Sequence, residues 1–140
     1  MDLRKKLEDF ESAMCRLEEA YLKARKTGYE EYPYFRDSAI QRFEFTVELF
    51  WKSVKLFMRE IEGVDCRSPK SCVREFFSAG YLDEVEATML LQMIDDRNMT
   101  SHTYREEIAE RIFAKLENYI KVLKEVASRI NLRLKNKGSI

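Results

Sequence analysis

An all-α fold is predicted by three features of this sequence. Gly and Pro are sparse, four and two in 140 residues. Apolar residues recur at spacings of three and four over long stretches, and no segment shows the strict alternation of a half-buried strand. The expected architecture is an up-and-down antiparallel bundle of about five helices, in which the long first, second and last helices lie antiparallel, with a short third helix packed across them. No repeat of solenoid period is present.

The first helix is read from Asp2 to about Lys26, because Leu3, Leu7, Phe10, Met14, Leu17, Tyr21 and Ala24 form one stripe that Gly28 ends. After a loop over 29–34, a second helix carries Phe35, Ile40, Phe43, Val47, Phe50, Trp51, Val54, Phe57 and Ile61, an apolar face too broad for a two-stranded seam, with Gly63 as its stop. Ser68-Pro69 reads as a side-chain cap followed by proline at the first helical position, opening a short helix that ends at Gly80. Asp83 can cap a fourth helix through Val85, Met89, Leu90 and Met93 to about Met99, with Glu84 and Glu86 suited to its N-terminal dipole. Thr103 and Glu106 have capping-box spacing, so one last long helix is expected from near Tyr104 through Ile112, Leu116, Leu123 and Ile130. Residues 1–130 thus read as a single helical domain and 131–140 as a frayed basic tail.

Basic and acidic side chains number 25 each, so no global field draws the chain onto a polyanion, and contact with nucleic acid has to come from a local patch. The N-terminus carries no apolar run of signal-peptide length, and no stretch reaches the roughly 20 apolar residues of a bilayer span, so the expected location is cytoplasmic with no membrane contact. Cys15, Cys66 and Cys72 are odd in number and widely placed, which predicts reduced thiols rather than a disulfide.

With one His and three scattered Cys, no zinc-ligand pattern is available and no metal site is expected. Neighbouring Asp95 and Asp96 point about 100° apart on a helix and read as a solvated face rather than a catalytic dyad. No Walker A, dinucleotide-binding or nucleophile-elbow pattern occurs, so no cofactor is expected. What remains is the segment 95–104, which gathers the single His102 with Asp96, Arg97, Asn98 and Tyr104 where a helix ends. On a continuous helix Arg97 and His102 would lie about 140° apart, so they converge only if the backbone turns after Met99. Asn98 and His102, four apart, could meet if the last turn persists, the amide then orienting the imidazole. Spacing alone favours a plain structural role, His102 as a polar junction residue and Arg97 as a partner for Asp96 or nearby carbonyls. Tyr104 by itself reads as an amphipathic aromatic with its hydroxyl at the rim.

Two blocks change that reading. Residues 35–46, FRDSAIQRFEFT, and 97–104, which fit R-x4-H-x-Y without departure, resemble the HEPN superfamily, in the group of nucleotidyltransferase substrate-binding proteins. The resemblance spans about residues 3–130. It implies a helical bundle like those substrate-binding subunits, a homodimer, and a separate minimal nucleotidyltransferase as antitoxin partner. It also implies that Arg97 and His102 serve metal-independent cleavage of RNA and that Tyr104 accepts AMP; Asn98 and Asp96, read from spacing, are the supporting candidates. The alternative is a non-catalytic substrate-binding subunit of a two-component nucleotidyltransferase; a purely structural helical adaptor is the third.

Weaker candidates surround these. Arg36, Asp37, Gln41, Arg42 and Glu44 read as an intrahelical network or partner surface, and Lys52, Lys55, Arg59, Arg129, Arg133, Lys135 and Lys137 as solvated charge.

Overall fold

A computed structural model describes residues 2–102 and 105–138; for Ser101, His102, Lys137 and Gly138 it describes the backbone alone. The elements are α1 (Leu3–Lys26), α2 (Tyr32–Phe57) continued by a π-helical turn (Met58–Glu62), α3 (Pro69–Ser78), α4 (Glu84–His102), α5 (Glu106–Phe113) and α6 (Leu116–Gly138). The all-α prediction is met, with six α-helices among the described residues where about five were expected.

The stripe of α1 is buried at every expected position from Leu3 to Ala24. It packs on α2 antiparallel to it, as two cross-helix bonds show: Thr46 Oγ1 reaches the Ala13 carbonyl and Ser53 Oγ the Lys6 carbonyl, both at 3.3 Å. Glu18 and Asn131 mark the antiparallel seam of α1 with α6, through Lys124 Nζ to Glu18 Oε2 at 2.6 Å and Asn131 Nδ2 to Glu11 Oε1 at 3.0 Å. Helix α4 runs antiparallel to α6, with Arg129 on Glu86 at one end and Tyr119 on Asp96 at the other. The bundle is therefore α1 up, α2 down, α4 up, α6 down, with α4 joining the first, second and last helices in it. Phe10, Phe43, Phe50, Phe57, Phe76 and Tyr119 fill its centre.

The local start and stop signals act as read. Ser68 and Ser71 form a reciprocal capping box at α3, Asp83 and Glu86 another at α4, and Gly63 takes the left-handed conformation at φ 70° that ends the second helix.

Several expectations are corrected. Helix α2 begins at Tyr32 rather than after Tyr34, because Pro33 falls in the first turn, where its missing N–H is harmless. The last long helix is two helices: Lys115 N–H bonds the Ile112 carbonyl at 2.9 Å, a tight step that separates α5 from α6. Arg105, in extended conformation, occupies the cap position of α5; the expected capping residue Thr103 lies outside the described residues. Helix α6 continues to Gly138 instead of fraying after Asn131.

Cys66 and Cys72 form a disulfide, contrary to the prediction of reduced thiols. The reversal at Ser68-Pro69 brings their Cα atoms to 5.1 Å, inside the range a bridge requires, and both residues are buried. Counting cysteines could not detect this, since the pairing is made by a local turn. Cys15 is free and exposed.

Candidate active site

The candidate segment sits at the C-terminal end of α4, and that helix does not stop at Met99. It runs unbroken through His102. Thr100 Oγ1 lies 2.7 Å from the Arg97 carbonyl and 2.8 Å from Glu44 Oε2, so its proton is shared between its own helix and α2. The turn that would have brought Arg97 and His102 together within one chain is absent, and their positions on the helix differ by about 140°. Asn98 and His102 stand one turn apart, as the alternative geometry required. Tyr104 falls outside the described residues.

Arg97 is half-buried, on the flank of α4 that faces α2. Its guanidinium has no hydrogen-bond or ion-pair partner among the described residues. Its charge acts on Glu48 of α2. Burial pushes the Glu48 carboxyl up, but hydrogen bonds from Lys52 and Trp51, and the charges of Lys52 and Arg97, outweigh that and hold it below its ordinary value. Glu48 thus stays anionic while committed to Lys52 at 3.1 Å and Trp51 Nε1 at 3.2 Å. Glu48, Trp51 and Thr100 were not singled out from the sequence. Their only signal there is the i,i+4 run Glu44, Glu48, Lys52 on one side of α2.

Asp96 proves to be a packing anchor. Its Oδ2 accepts from Tyr119 Oη at 2.5 Å and from Lys115 Nζ at 3.2 Å, tying α4 to the start of α6. Burial, then the hydrogen bond to Asp96, raise the Tyr119 phenol above its ordinary value, so it remains a neutral donor. Asp95 turns the other way, to Lys70 of α3 at 2.5 Å. The two carboxylates do not share a site, as their helical offset implied, but Asp96 is not on a solvated face.

Arg36 is the other departure. Rather than joining an exposed charge network, it is buried at 3% exposure. It donates to Asp37 at 3.0 and 3.1 Å, to Glu110 at 3.0 Å and to Glu106 at 3.3 Å, with the Tyr32 ring 5.7 Å away. Three carboxylates neutralise one desolvated guanidinium. The pair on α5 fixes that helix against the first turn of α2, immediately downstream of Tyr104 in the chain.

Residues 5–132 match the family described as nucleotidyltransferase substrate binding protein like. The chain belongs to this family. That bears out the HEPN-type substrate-binding resemblance and its helical fold. A probable ribonuclease HepT from Haemophilus influenzae is 29% identical over 86 residues, 59% of this chain and 58% of that protein, so the chain matches somewhat over half the length of this curated relative. A solved structure from Thermus thermophilus is 39% identical, covers 86% of this chain and 98% of its own, and superposes with a TM-score of 0.78. A tri-AMPylated HEPN toxin from Shewanella oneidensis, solved in complex with its MNT antitoxin, is 14% identical with a TM-score of 0.73, covering 94% of this chain and 99% of its own. At that identity the likeness is one of fold. Among the described residues no helix is long and apolar enough to cross a membrane.

Proposed function

We propose that the protein is a HEPN-type toxin, a metal-independent endoribonuclease silenced when a partner minimal nucleotidyltransferase adenylylates Tyr104. The observation that carries the reading is Arg97: a half-buried guanidinium with no hydrogen-bond or ion-pair partner among the described residues, on the same helix as the single His102, in a chain related to a probable ribonuclease. A half-buried Arg usually holds an acid. One without such a partner is available to an incoming anion.

Cleavage of this kind removes the proton of a ribose 2′-hydroxyl, forms a bond from that oxygen to the adjacent phosphorus, and expels the 5′-oxygen with a proton. It needs a base, an acid, and a cation for the charge growing on the phosphoryl oxygens. Imidazole supplies the first two roles and guanidinium the third. Since one chain offers a single imidazole, and Arg97 and His102 are offset on an unbroken helix, two-fold pairing of two copies completes the site. One His102 acts as base and the other as acid, beside the two Arg97 side chains. AMP on Tyr104 brings a phosphate close in sequence to His102, where it competes with substrate for the cation.

His102→Ala should keep the melting temperature and lose RNA cleavage in the presence of a chelator; an unchanged rate removes His102 from the mechanism. A mixed dimer with one His102→Ala chain should lose most activity, and full activity would defeat the shared cleft. Incubation with the partner enzyme, ATP and magnesium should add AMP, read by intact mass, and Tyr104→Phe should abolish the addition. Adduct formation without any cleavage would instead favour a non-catalytic substrate-binding subunit.

A further inference from the structure

A groove between α1 and α2 holds two guanidinium groups that have no ion-pair or hydrogen-bond partner among the described residues. Arg16 of α1 and Arg42 of α2 line it together, with Ser12 and Ser38 beside them and the ring of Phe45 on the adjoining turn. Three other arginines are committed, Arg36 to Asp37, Glu106 and Glu110, Arg67 to Asp65, and Arg129 to Glu86; what distinguishes Arg16 and Arg42 is that they face one groove together. Of the carboxylates along the groove, Asp9 is taken up by Lys5 at 3.0 Å, which leaves Glu19 as the other. Two like charges in one groove repel each other unless an anion lies between them. Phe45 is 56% exposed in the middle of a helix whose other phenylalanines are mostly buried.

The geometry points to a phosphate-binding groove in which Arg16 and Arg42 hold the backbone of a single RNA strand while Phe45 stacks on one of its bases. Guanidinium groups grip phosphodiester oxygens in pairs, serine hydroxyls add neutral donors, and an exposed ring accepts any base face without reading sequence. The position fits the substrate of the proposed nuclease. Arg42 and Phe45 lie on the flank of α2 towards α1, and Glu44 and Glu48 on the flank towards Arg97. The groove and the candidate site are thus separated by about one helix diameter, roughly 10–12 Å with side chains. One strand crossing the α2 surface reaches both. This assignment rests on the ribonuclease reading for its substrate, but its own evidence is the groove.

The test is binding of a 5′-labelled, 2′-O-methylated 12-nucleotide RNA, which cannot be cleaved, followed by anisotropy over a salt series. Wild type should bind with an affinity that falls with salt. The double variant R16A/R42A should weaken binding by about tenfold or more and flatten the log–log salt slope by about 1.4, the loss of two phosphate contacts on a single strand. R16K/R42K should keep the slope, and Phe45→Ala should lower affinity without changing it. Arg16 is exposed on the surface, so R16A alone should give about half the slope change if the double variant fails to fold. Equal slope and affinity in R16A and wild type, or no RNA binding by wild type, would overturn the inference. So would saturation of the groove by ATP without RNA binding. In a His102→Ala background, R16A/R42A should lower the RNA affinity by the same factor as in wild type, which separates the two readings. RNA bound but never cleaved sinks the nuclease and spares the groove; cleavage of unmodified RNA indifferent to R16A/R42A does the reverse.

Discussion

Replacing Asp96 by Ala asks what holds the end of α4 in place. The Tyr119 side chain is 1% exposed and stacks on Phe43 with ring centroids 5.9 Å apart, so its hydroxyl cannot turn to solvent when the 2.5 Å bond to Asp96 is removed. An unsatisfied buried hydroxyl costs about 1–3 kcal/mol. The Lys115 contact at 3.2 Å adds little, because that ammonium is 30% exposed and rehydrates, so it is discounted to at most about 1 kcal/mol. The sum is about 1–4 kcal/mol. For a chain of this length about 3 °C of melting temperature accompanies each kcal/mol, so Asp96→Ala should melt about 3–12 °C lower. Tyr119→Phe deletes the donor and leaves Asp96 with Lys115 and partial solvent, at a cost of about 1–2 kcal/mol. The double variant should cost less than the two singles added together, with a coupling of about 1 kcal/mol or more. Chemical denaturation of the four proteins measures this cycle. Strict additivity, or an Asp96→Ala variant as stable as wild type, would refute the anchor. A second readout separates anchoring from chemistry: RNA cleavage by Asp96→Ala should follow its folded fraction, whereas a loss at temperatures where it is fully folded would return Asp96 to the reaction.

Three further outcomes are expected. Arg36→Met should cost about 2–4 kcal/mol through lost packing and lost charged hydrogen bonds, with amide exchange rising first in residues 105–113; uniform loss of protection across the bundle would show that Arg36 does not act through α5. Without the Cys66–Cys72 bridge, whether reduced or replaced in Cys66→Ser, no loop is closed in the unfolded chain; about 2 kcal/mol should be lost for so short a span, and calorimetry with and without reductant should detect it. The hydrogen bond from Arg129 holds the Glu86 carboxyl below its ordinary value of 4.5 against the opposing effect of burial. A depressed folded pKa contributes stability above the unfolded value that disappears as pH falls through the folded one, so melting temperature should drop below about pH 4.5, and Glu86→Gln should flatten that drop. An identical acid profile for the variant would argue against the pair.

Much of the fold was legible because its signals are local. The stripe of α1 is determined by spacing alone, and the caps at Ser68 and Asp83 are short-range hydrogen bonds between residues three apart. The division of the last helix was not legible, since Ala114 and Lys115 are ordinary helix residues with no breaker between them. It arises where Phe113 packs against Tyr21 and Tyr32 while Lys115 reaches Asp96, contacts that pull α5 and α6 in different directions. The candidate site was legible as a set of residue types, but not its geometry. Past Met99, α4 is held against α2 where Thr100 meets Glu44 from a distant part of the chain.

Sequence alone determined the helical class, the capped starts of α3 and α4, the family, and the concentration of Arg97, Asn98 and His102 at one helix end, because periodicity, capping and motif spacing are properties of neighbouring residues. Only the tertiary structure decided that Arg36 and Asp96 are anchors, that Cys66 meets Cys72, and that Arg16, Arg42 and Arg97 find no hydrogen-bond or ion-pair partner among the described residues. Whether a charge is neutralised depends on which carboxylates the packing of other helices brings within a few ångströms, and sequence separation carries no record of that.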